Sequence, residues 1–222
     1  MTLGDLLAEA RDLGFLGPGP ISSHVDQSRA FAAAVDAARS AGRSAVCSTH
    51  EAVTAAAPRS VVDLGSGAGV PGLVLALVWE RTAFVLVEAH LRRAAFLVRA
   101  IRVLDLTERV TVVAERAESF GQTPSRRGTF DVVTARGFAR PAVVAECAAP
   151  LLGIGGLLVV SEPPPDTASP GQRWSAEGLA KLGMGRAERA GSAYQFVVMT
   201  QEELCPLRFP RRVGVPVKRP LF

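Results

Sequence analysis

The first sixty residues carry the apolar spacing of helices. Leu3, Leu6, Leu7, Ala10 and Leu13 recur three and four positions apart, which places them on one helix face. Thr2 can cap that helix with Asp5 reaching back, and Gly14 can stop it. Gly17-Pro18-Gly19-Pro20 is a turn-rich break. An Ala-rich stretch from about Ser23 to Ala41 predicts a second helix. Ser48 and Glu51 have capping-box spacing for a third, short one that ends at Pro58.

From Ser60 the pattern changes. Ser60–Leu64, Ala83–Val87, Val110–Ala114, Asp131–Ala135 and Leu157–Ser161 read as short strands. Gly72–Trp79, Leu91–Leu104 and Ala142–Leu152 between them read as helices. Strands that are apolar throughout and separated by helices imply a parallel sheet covered on both faces. Pro163-Pro164-Pro165 breaks the alternation. Beyond it, Gly185–Arg189 and Tyr194–Thr200 flank Gly191 and Ser192 as a terminal antiparallel hairpin. The expected organisation is a helical extension over 1–59, an α/β domain over 60–206 and a tail over 207–222.

Composition agrees with a folded chain: of 222 residues, 48% are hydrophobic and 21% charged. A core of that size needs no disulfide or metal staple. Charge adds one feature. The net charge is +4, yet Leu207–Phe222 alone holds Arg208, Arg211, Arg212, Lys218 and Arg219 and no acid. A local basic tail without hydrophobic period is expected to stay unpacked and to meet a polyanion such as RNA. Cys47, Cys147 and Cys205 are odd in number and far apart, as reduced cysteines of a cytosolic protein are. His24, His50 and His90 have no metal spacing, so no metal is expected. Asp5 and Glu9 interrupt any leader-like start, and Val70–Trp79 is half a membrane span. A soluble, cytoplasmic protein with no membrane partner is expected, with a monomer favoured and the oligomeric state open.

The chemistry concentrates where the first strand ends. Asp63-Leu64-Gly65-Ser66-Gly67-Ala68-Gly69-Val70-Pro71-Gly72 closes a predicted strand and opens a predicted helix. Glycines there let a ligand lie against the backbone, and Pro71 suits a first helical turn. Glu88 ends the next strand, where an acid accepts ribose hydroxyl hydrogen bonds. An adenosine-containing cofactor should therefore sit at the carboxyl edge of the sheet. Asp63, two residues ahead of Gly65, favours a cationic ligand portion over a pyrophosphate. The terminal hairpin fits methyltransferases better than dehydrogenases. Both features point to S-adenosylmethionine, with Asp63, Gly65, Gly67, Gly69 and Glu88 around it.

These residues resemble the bacterial 16S ribosomal RNA guanine-N7 methyltransferases, the RsmG or GidB family. The likeness runs from the Asp63–Gly72 loop, with its Gly-x-Pro-Gly, through Val87-Glu88, Arg92-Arg93-Ala94-Ala95-Phe96-Leu97 and Arg116-Ala117-Glu118. It continues in Phe130-Asp131-Val132-Val133-Thr134-Ala135-Arg136, Pro150-Leu151-Leu152 and Gly155-Gly156. The tail Phe209-Pro210-Arg211-Arg212, with Gly214, Pro216, Lys218 and Pro220-Leu221, is similar to the family's basic tail. The resemblance implies a class I, Rossmann-like methyltransferase fold with a mostly parallel seven-stranded sheet, helices on both faces and a helical N-terminal extension. It implies that Gly65 and Val70 line the cofactor, that Glu88 holds the ribose and that Ala117 and Glu118 meet the adenine end. Arg136 would face the methionine end and the target nucleotide as the catalytic residue. Arg211, Arg212, Lys218 and Arg219 would meet RNA, with 16S ribosomal RNA or the small ribosomal subunit as partner.

Two places depart from the family pattern. Its N-terminal Asn-Leu-Thr and Arg-His-x-x-Asp-Ser are not visible, and His24-Val25-Asp26-Gln27-Ser28 is at best a remnant. Ser161-Glu162 stands where Lys-Gly commonly ends the fifth strand, so an acid replaces a cation near the expected substrate mouth. The departures leave two rivals on the same scaffold: a methyltransferase acting on another RNA or a small molecule, and a cofactor-binding, ribosome-associated protein without catalysis. Guanine N7 offers a free lone pair, so alignment and water exclusion suffice and no catalytic base is required. Phe138, in the loop after the fourth strand, is placed either to stack on a base or to be buried under the sheet edge. Deleting Leu207–Phe222 is expected to weaken RNA binding and to spare the cofactor.

Overall fold

The central element is a seven-stranded sheet built from β1 (Ser60–Leu64), β2 (Ala83–Val87), β3 (Val110–Val113), β4 (Phe130–Ala135), β5 (Leu152–Ser161), β6 (Glu188–Ala190) and β7 (Phe196–Thr200). A computed structural model gives its order as β3-β2-β1-β4-β5-β7-β6 and describes residues 1–44, 57–163 and 173–222. The strands β1 to β5 run parallel, and β7 pairs antiparallel with both β5 and β6. The order reverses between β1 and β4. Ligands bind at such a switch point, outside the carboxyl ends of the strands.

The apolar strands are buried on both faces, as their sequence requires. Val61, Leu86, Val132, Leu157 and Val159 point to one core, and Val62, Val87, Val133, Leu158 and Val160 to the other. The first core also takes the helical extension. Leu6, Leu7 and Ala10 of α1 (Leu3–Asp12) and Phe31 and Val35 of α2 (Ile21–Ser44) join it beside Leu73 of α3 (Gly72–Val78) and Leu97 of α4 (Leu91–Val103). Phe31 meets Phe196 edge-on, with ring centroids 4.6 Å apart. The expected cap of α1 is present: the Asp5 N–H donates to Thr2 Oγ1 at 3.2 Å and the Thr2 N–H to Asp5 Oδ2 at 2.7 Å. Gly14 follows in the left-handed region at φ 72°. The third helix expected over Ser48–Pro58 lies almost wholly outside the described residues.

The second core is closed by α5 (Ala117–Gln122), α6 (Pro141–Ala148) and the C-terminal segment. Sequence periodicity carried the helix now seen as α6 on to Leu152, whereas a 3₁₀ turn over Ala149–Leu151 ends it. Pro150 has no N–H to continue an α-helical ladder. β5 begins at Leu152, five residues before the expected start, because Gly153, Gly155 and Gly156 hide an irregular strand beside Phe130.

The expectation of an unpacked tail is overturned. Phe209 is 5% exposed and sits in the second core, Pro210 and Pro216 are buried, and the Phe222 ring lies against Gly178. Arg127 donates to the carbonyls of Phe209 at 2.6 Å and Cys205 at 2.9 Å. Arg211 makes a two-pronged bond to the fully buried Glu146, Nε to Oε1 at 2.8 Å and Nη2 to Oε2 at 2.6 Å. Such docking uses isolated aromatic, proline and arginine groups, which leave no period in the sequence.

Candidate cofactor and substrate site

The glycine loop turns directly off β1. The N–H groups of Gly65 and Ser66 both donate to Val87 O, at 2.8 and 3.1 Å, which ties the loop to the end of β2. Gly65 has φ 71°, and a Cβ there would stand 2.6 Å from the Phe138 ring. Gly69 has φ 89°, and a Cβ would stand 2.3 Å from Leu73 Cδ1. Neither position tolerates an L side chain without displacing a neighbour.

A cavity of two adjoining lobes opens over this loop. The larger, about 580 Å³, is bounded by Gly65, Gly67, Val70 and Arg136 together with Phe15 and Gln27 of the N-terminal extension. The smaller, about 250 Å³, is bounded by Gly65, Glu88, Ala117, Glu118, Arg116 and Phe138. Gly65, Arg93 and Gly137 border both. The lobes thus bring seven of the nine expected cofactor positions together. Asp63 and Gly69 lie behind the loop.

Asp63 is 1% exposed. Its Oδ1 accepts from Thr134 Oγ1 at 2.8 Å and its Oδ2 from the Gly72 N–H at 3.2 Å. The carboxylate therefore braces β4 and the start of α3 beneath the ligand surface. Burial pushes its pKa up to about 6, against bonds from Thr134, Ser66 and Gly72 and the charge of Arg136. The native state thus binds this proton more tightly than the unfolded chain does. Stability from this group is fullest below about 3.8 and is lost as pH rises through about 6. A carboxyl-carbon NMR titration should place the Asp63 midpoint near 6, well above the exposed aspartates.

Glu88 closes the smaller lobe, its Oε2 accepting from the Gly67 N–H at 2.9 Å and its Oε1 from the His90 N–H at 2.8 Å. These bonds aim the carboxylate while each oxygen keeps acceptor capacity for a ribose hydroxyl. Glu118 receives Arg116 Nη2 at 3.2 Å and the Gly214 N–H at 3.0 Å, both on Oε1. Burial raises its pKa, but the Gly214 and Arg116 bonds outweigh that and hold it below the ordinary carboxylate range. The tail is therefore bonded to a residue of the cavity wall.

Arg136 directly follows β4 and borders the larger lobe. Its Nε donates to Gln27 Oε1 at 2.8 Å and its Nη2 to His24 Nδ1. Both partners come from α2, in the segment the sequence left as a remnant. The signal was present, since His24 and Ser28 keep the His-x-x-x-Ser spacing and Gln27 stands at the Asp position. Arg93, on the helix expected from the sequence but not among the expected site residues, borders both lobes with its guanidinium 5.8 Å from the Phe15 ring centroid. Phe138 is half-buried against Gly65. Glu162, the acid at the mouth, is paired with Arg173 and accepts from Trp174 Nε1 at 3.1 Å, so its charge is spent within the protein.

Neither described cysteine reaches the cavity. Burial pushes the Cys147 thiol far up and Cys205 up to about 11, which suits packing and not nucleophilic attack. No group of His, Cys, Asp and Glu among the described residues could hold a metal ion.

Glycines open to close approach, an acid ending β2 and a two-lobed cavity over the switch point fit an extended nucleoside with a charged tail. With the antiparallel β7 they define a class I S-adenosylmethionine-dependent methyltransferase. Solved structures share the fold: PigF with SAH aligns with TM-score 0.51 and 18% identity over 66% of this chain and 51% of its own. An O-methyltransferase family protein from Burkholderia thailandensis aligns with TM-score 0.53 and 15% identity over 66% and 52%. The chain spans about half the length of each. At family level, the model for rRNA small subunit methyltransferase G, GidB, matches residues 45–162. Ribosomal RNA small subunit methyltransferase G of Thermotoga petrophila is 39% identical over 167 residues, covering 73% of this chain and 72% of that protein. Its counterpart in Chloroflexus aggregans is 37% identical over 174 residues, covering 74% and 71%. The chain belongs to the rRNA small subunit methyltransferase G family.

Proposed function

We propose that this protein transfers a methyl group from S-adenosylmethionine to N7 of a guanosine in 16S ribosomal RNA. One observation carries the reading beyond family membership: the larger lobe sets the half-buried Arg136 guanidinium over the glycine loop, while Glu88, Glu118 and Glu162 beside the cavity are each engaged by donors of the protein. Guanine N7 needs no base, because its lone pair is free at neutral pH. When bound, S-adenosylmethionine supplies an electrophilic methyl group on a sulfonium.

The chain's own residues then bind and orient. Gly65, Gly67 and Val70 form the floor, Glu88 accepts from the ribose, and Ala117 and Glu118 border the adenine end. Asp63 and Gly69 serve from behind, shaping the loop. Arg136 holds an anionic group, the cofactor's carboxylate or a phosphate of the target. It must leave N7 itself unoccupied, since donating to N7 would consume the attacking lone pair. Phe15 and Phe138 offer apolar faces that exclude water, and alignment in a water-poor site supplies the acceleration.

RNA contact extends to the tail. Arg212, Lys218 and Arg219 are exposed, whereas Arg211 is committed to Glu146. An open groove of about 610 Å³ is bordered by Arg212 together with Arg127 and Arg208. Because the tail also holds Glu118 and covers the second core, its deletion would disturb the domain and the cofactor wall together. Substitution is the cleaner test. The triple change Arg212→Ala, Lys218→Ala and Arg219→Ala should weaken RNA binding and reduce the salt slope by about 2 to 3 while sparing S-adenosylmethionine affinity. An unchanged slope would remove the tail from the interface. No helix among the described residues is long and apolar enough to cross a membrane, and the cytoplasm, where ribosomal subunits are, is the proposed location.

The activity is tested by offering methyl-labelled S-adenosylmethionine with small subunits or naked 16S RNA that lack the modification. Mass spectrometry of the digested nucleosides should find the label in N7-methylguanosine. Label in another nucleoside, or transfer to small molecules alone, would overturn the reading.

A further inference from the structure

α2 reaches the site through side chains that face Arg136 and carry no charge at neutral pH. His24 is 7% exposed, and its Nε2 lies 3.2 Å from Gly17 O. A carbonyl can only accept, so Nε2 carries the hydrogen and Nδ1 is left as the acceptor that Arg136 Nη2 meets. Gln27, one helical turn on, offers Oε1 to Arg136 Nε at 2.8 Å. Ser28 is fully buried and its Oγ donates to His24 O at 2.7 Å, which fixes the helix at this point.

We propose that His24 and Gln27 are positioning residues: they fix the Arg136 guanidinium at the cavity mouth through neutral acceptors, so that its positive charge stays available to an anionic ligand group. A carboxylate at position 27, where the family pattern has Asp, would hold the same geometry and pair part of the charge, so the uncharged cradle is a feature of this chain. On the sheet side, Asp63 is turned onto Thr134 and Gly72 and acts on Arg136 only through space. Two of the five N–H donors of Arg136 are spent on the cradle, which fixes the plane of the group. The N-terminal extension is thereby part of the reaction site.

The arrangement demands a neutral imidazole. Protonation would turn Nδ1 into a donor aimed at a guanidinium and place two positive charges in contact. The groups that face His24 are Arg136 from the end of β4 and the Gly17 and Pro18 carbonyls of the preceding loop, while Asp63 acts on Arg136. On the β7 side the Tyr194 hydroxyl lies 3.5 Å from Ser23 O. On α2 itself Asp26 is 3.8 Å from Arg29. Burial and then the Arg136 charge hold His24 below its ordinary value, against the Gly17 and Pro18 carbonyls. His24 should thus be neutral throughout the physiological range and release Arg136 only in acid.

The inference rests on the methyl-transfer reading for its kinetic arm and on the free protein for its spectroscopic arm. His24→Ala should lower kcat/KM for transfer to small subunits by about tenfold to a hundredfold, the worth of one hydrogen bond to a charged group. His24→Asn, whose amide oxygen can take the place of Nδ1, should recover most of that loss. In the free protein, nitrogen NMR should show His24 as the Nε2–H tautomer with a pKa below its ordinary 6.5, and Arg136→Ala should raise that pKa. Equal kcat/KM in wild type and His24→Ala would overturn the proposal. So would a His24 pKa that ignores Arg136→Ala, even if His24→Ala fails to fold. A wild type that transfers no methyl group would sink the functional reading alone, and the NMR arm would still decide this one.

Discussion

Arg136→Ala is expected to lower kcat/KM by on the order of a hundredfold, two charge-assisted hydrogen bonds to a ligand being worth about 3 kcal/mol. The loss should be deeper than that of His24→Ala, because the cation itself is removed and not only its aim. Arg136→Lys should recover little. An ammonium is a point charge, and it cannot span Gln27 Oε1 and His24 Nδ1 as the planar guanidinium does. A second readout needs no activity. The charge of Arg136 holds the Asp63 carboxyl down, so the alanine variant should move the Asp63 midpoint above its value of about 6. Full activity in Arg136→Ala, measured on small subunits at saturating S-adenosylmethionine, would remove this residue from the chemistry.

The second large effect is on stability. Arg211→Ala should destabilise the fold by about 3 kcal/mol, because it leaves the Glu146 carboxylate buried without its partner. The lower end of the range for broken buried pairs applies, since the Arg211 side chain is 27% exposed. One bond survives the change: the Arg211 backbone N–H still donates to Glu146 Oε1 at 2.9 Å. Glu146→Gln in the same background should recover much of the loss, since an amide costs far less to bury than a charge. Urea unfolding of the three proteins measures both steps. A midpoint unchanged by Arg211→Ala would show that the tail contributes nothing to the domain. It would also make the tail free to serve RNA alone.

Much of the sheet was legible because its strands obey a simple rule. Val61 and Val62, or Leu157 and Leu158, are both apolar because both faces of a parallel sheet are covered. The loop from Asp63 to Gly72 was legible because only glycine fits where Phe138 and Leu73 press on the backbone. Glu88 followed from its place at a strand end. The early start of β5 was not legible, since Gly153, Gly155 and Gly156 look like a turn until Phe130 is seen beside them. The place of Arg93 and His24 at the cavity was not legible, because helix periodicity separates buried from exposed faces but does not say which position borders a cavity.

The sequence by itself determined the alternation of strands and helices, the ligand edge of the sheet and the class of cofactor. Each depends on neighbours within a few residues: a period, a cap, a turn, an acid at the end of a strand. Tertiary structure alone decided that Asp63 braces the loop from behind, that Arg211 is spent on Glu146, 65 residues away, and that Arg136 is aimed by α2, more than a hundred positions earlier. Those pairings arise from packing the extension and the tail onto opposite faces of the sheet, and buried charges then take whichever polar partners the packing brings within reach.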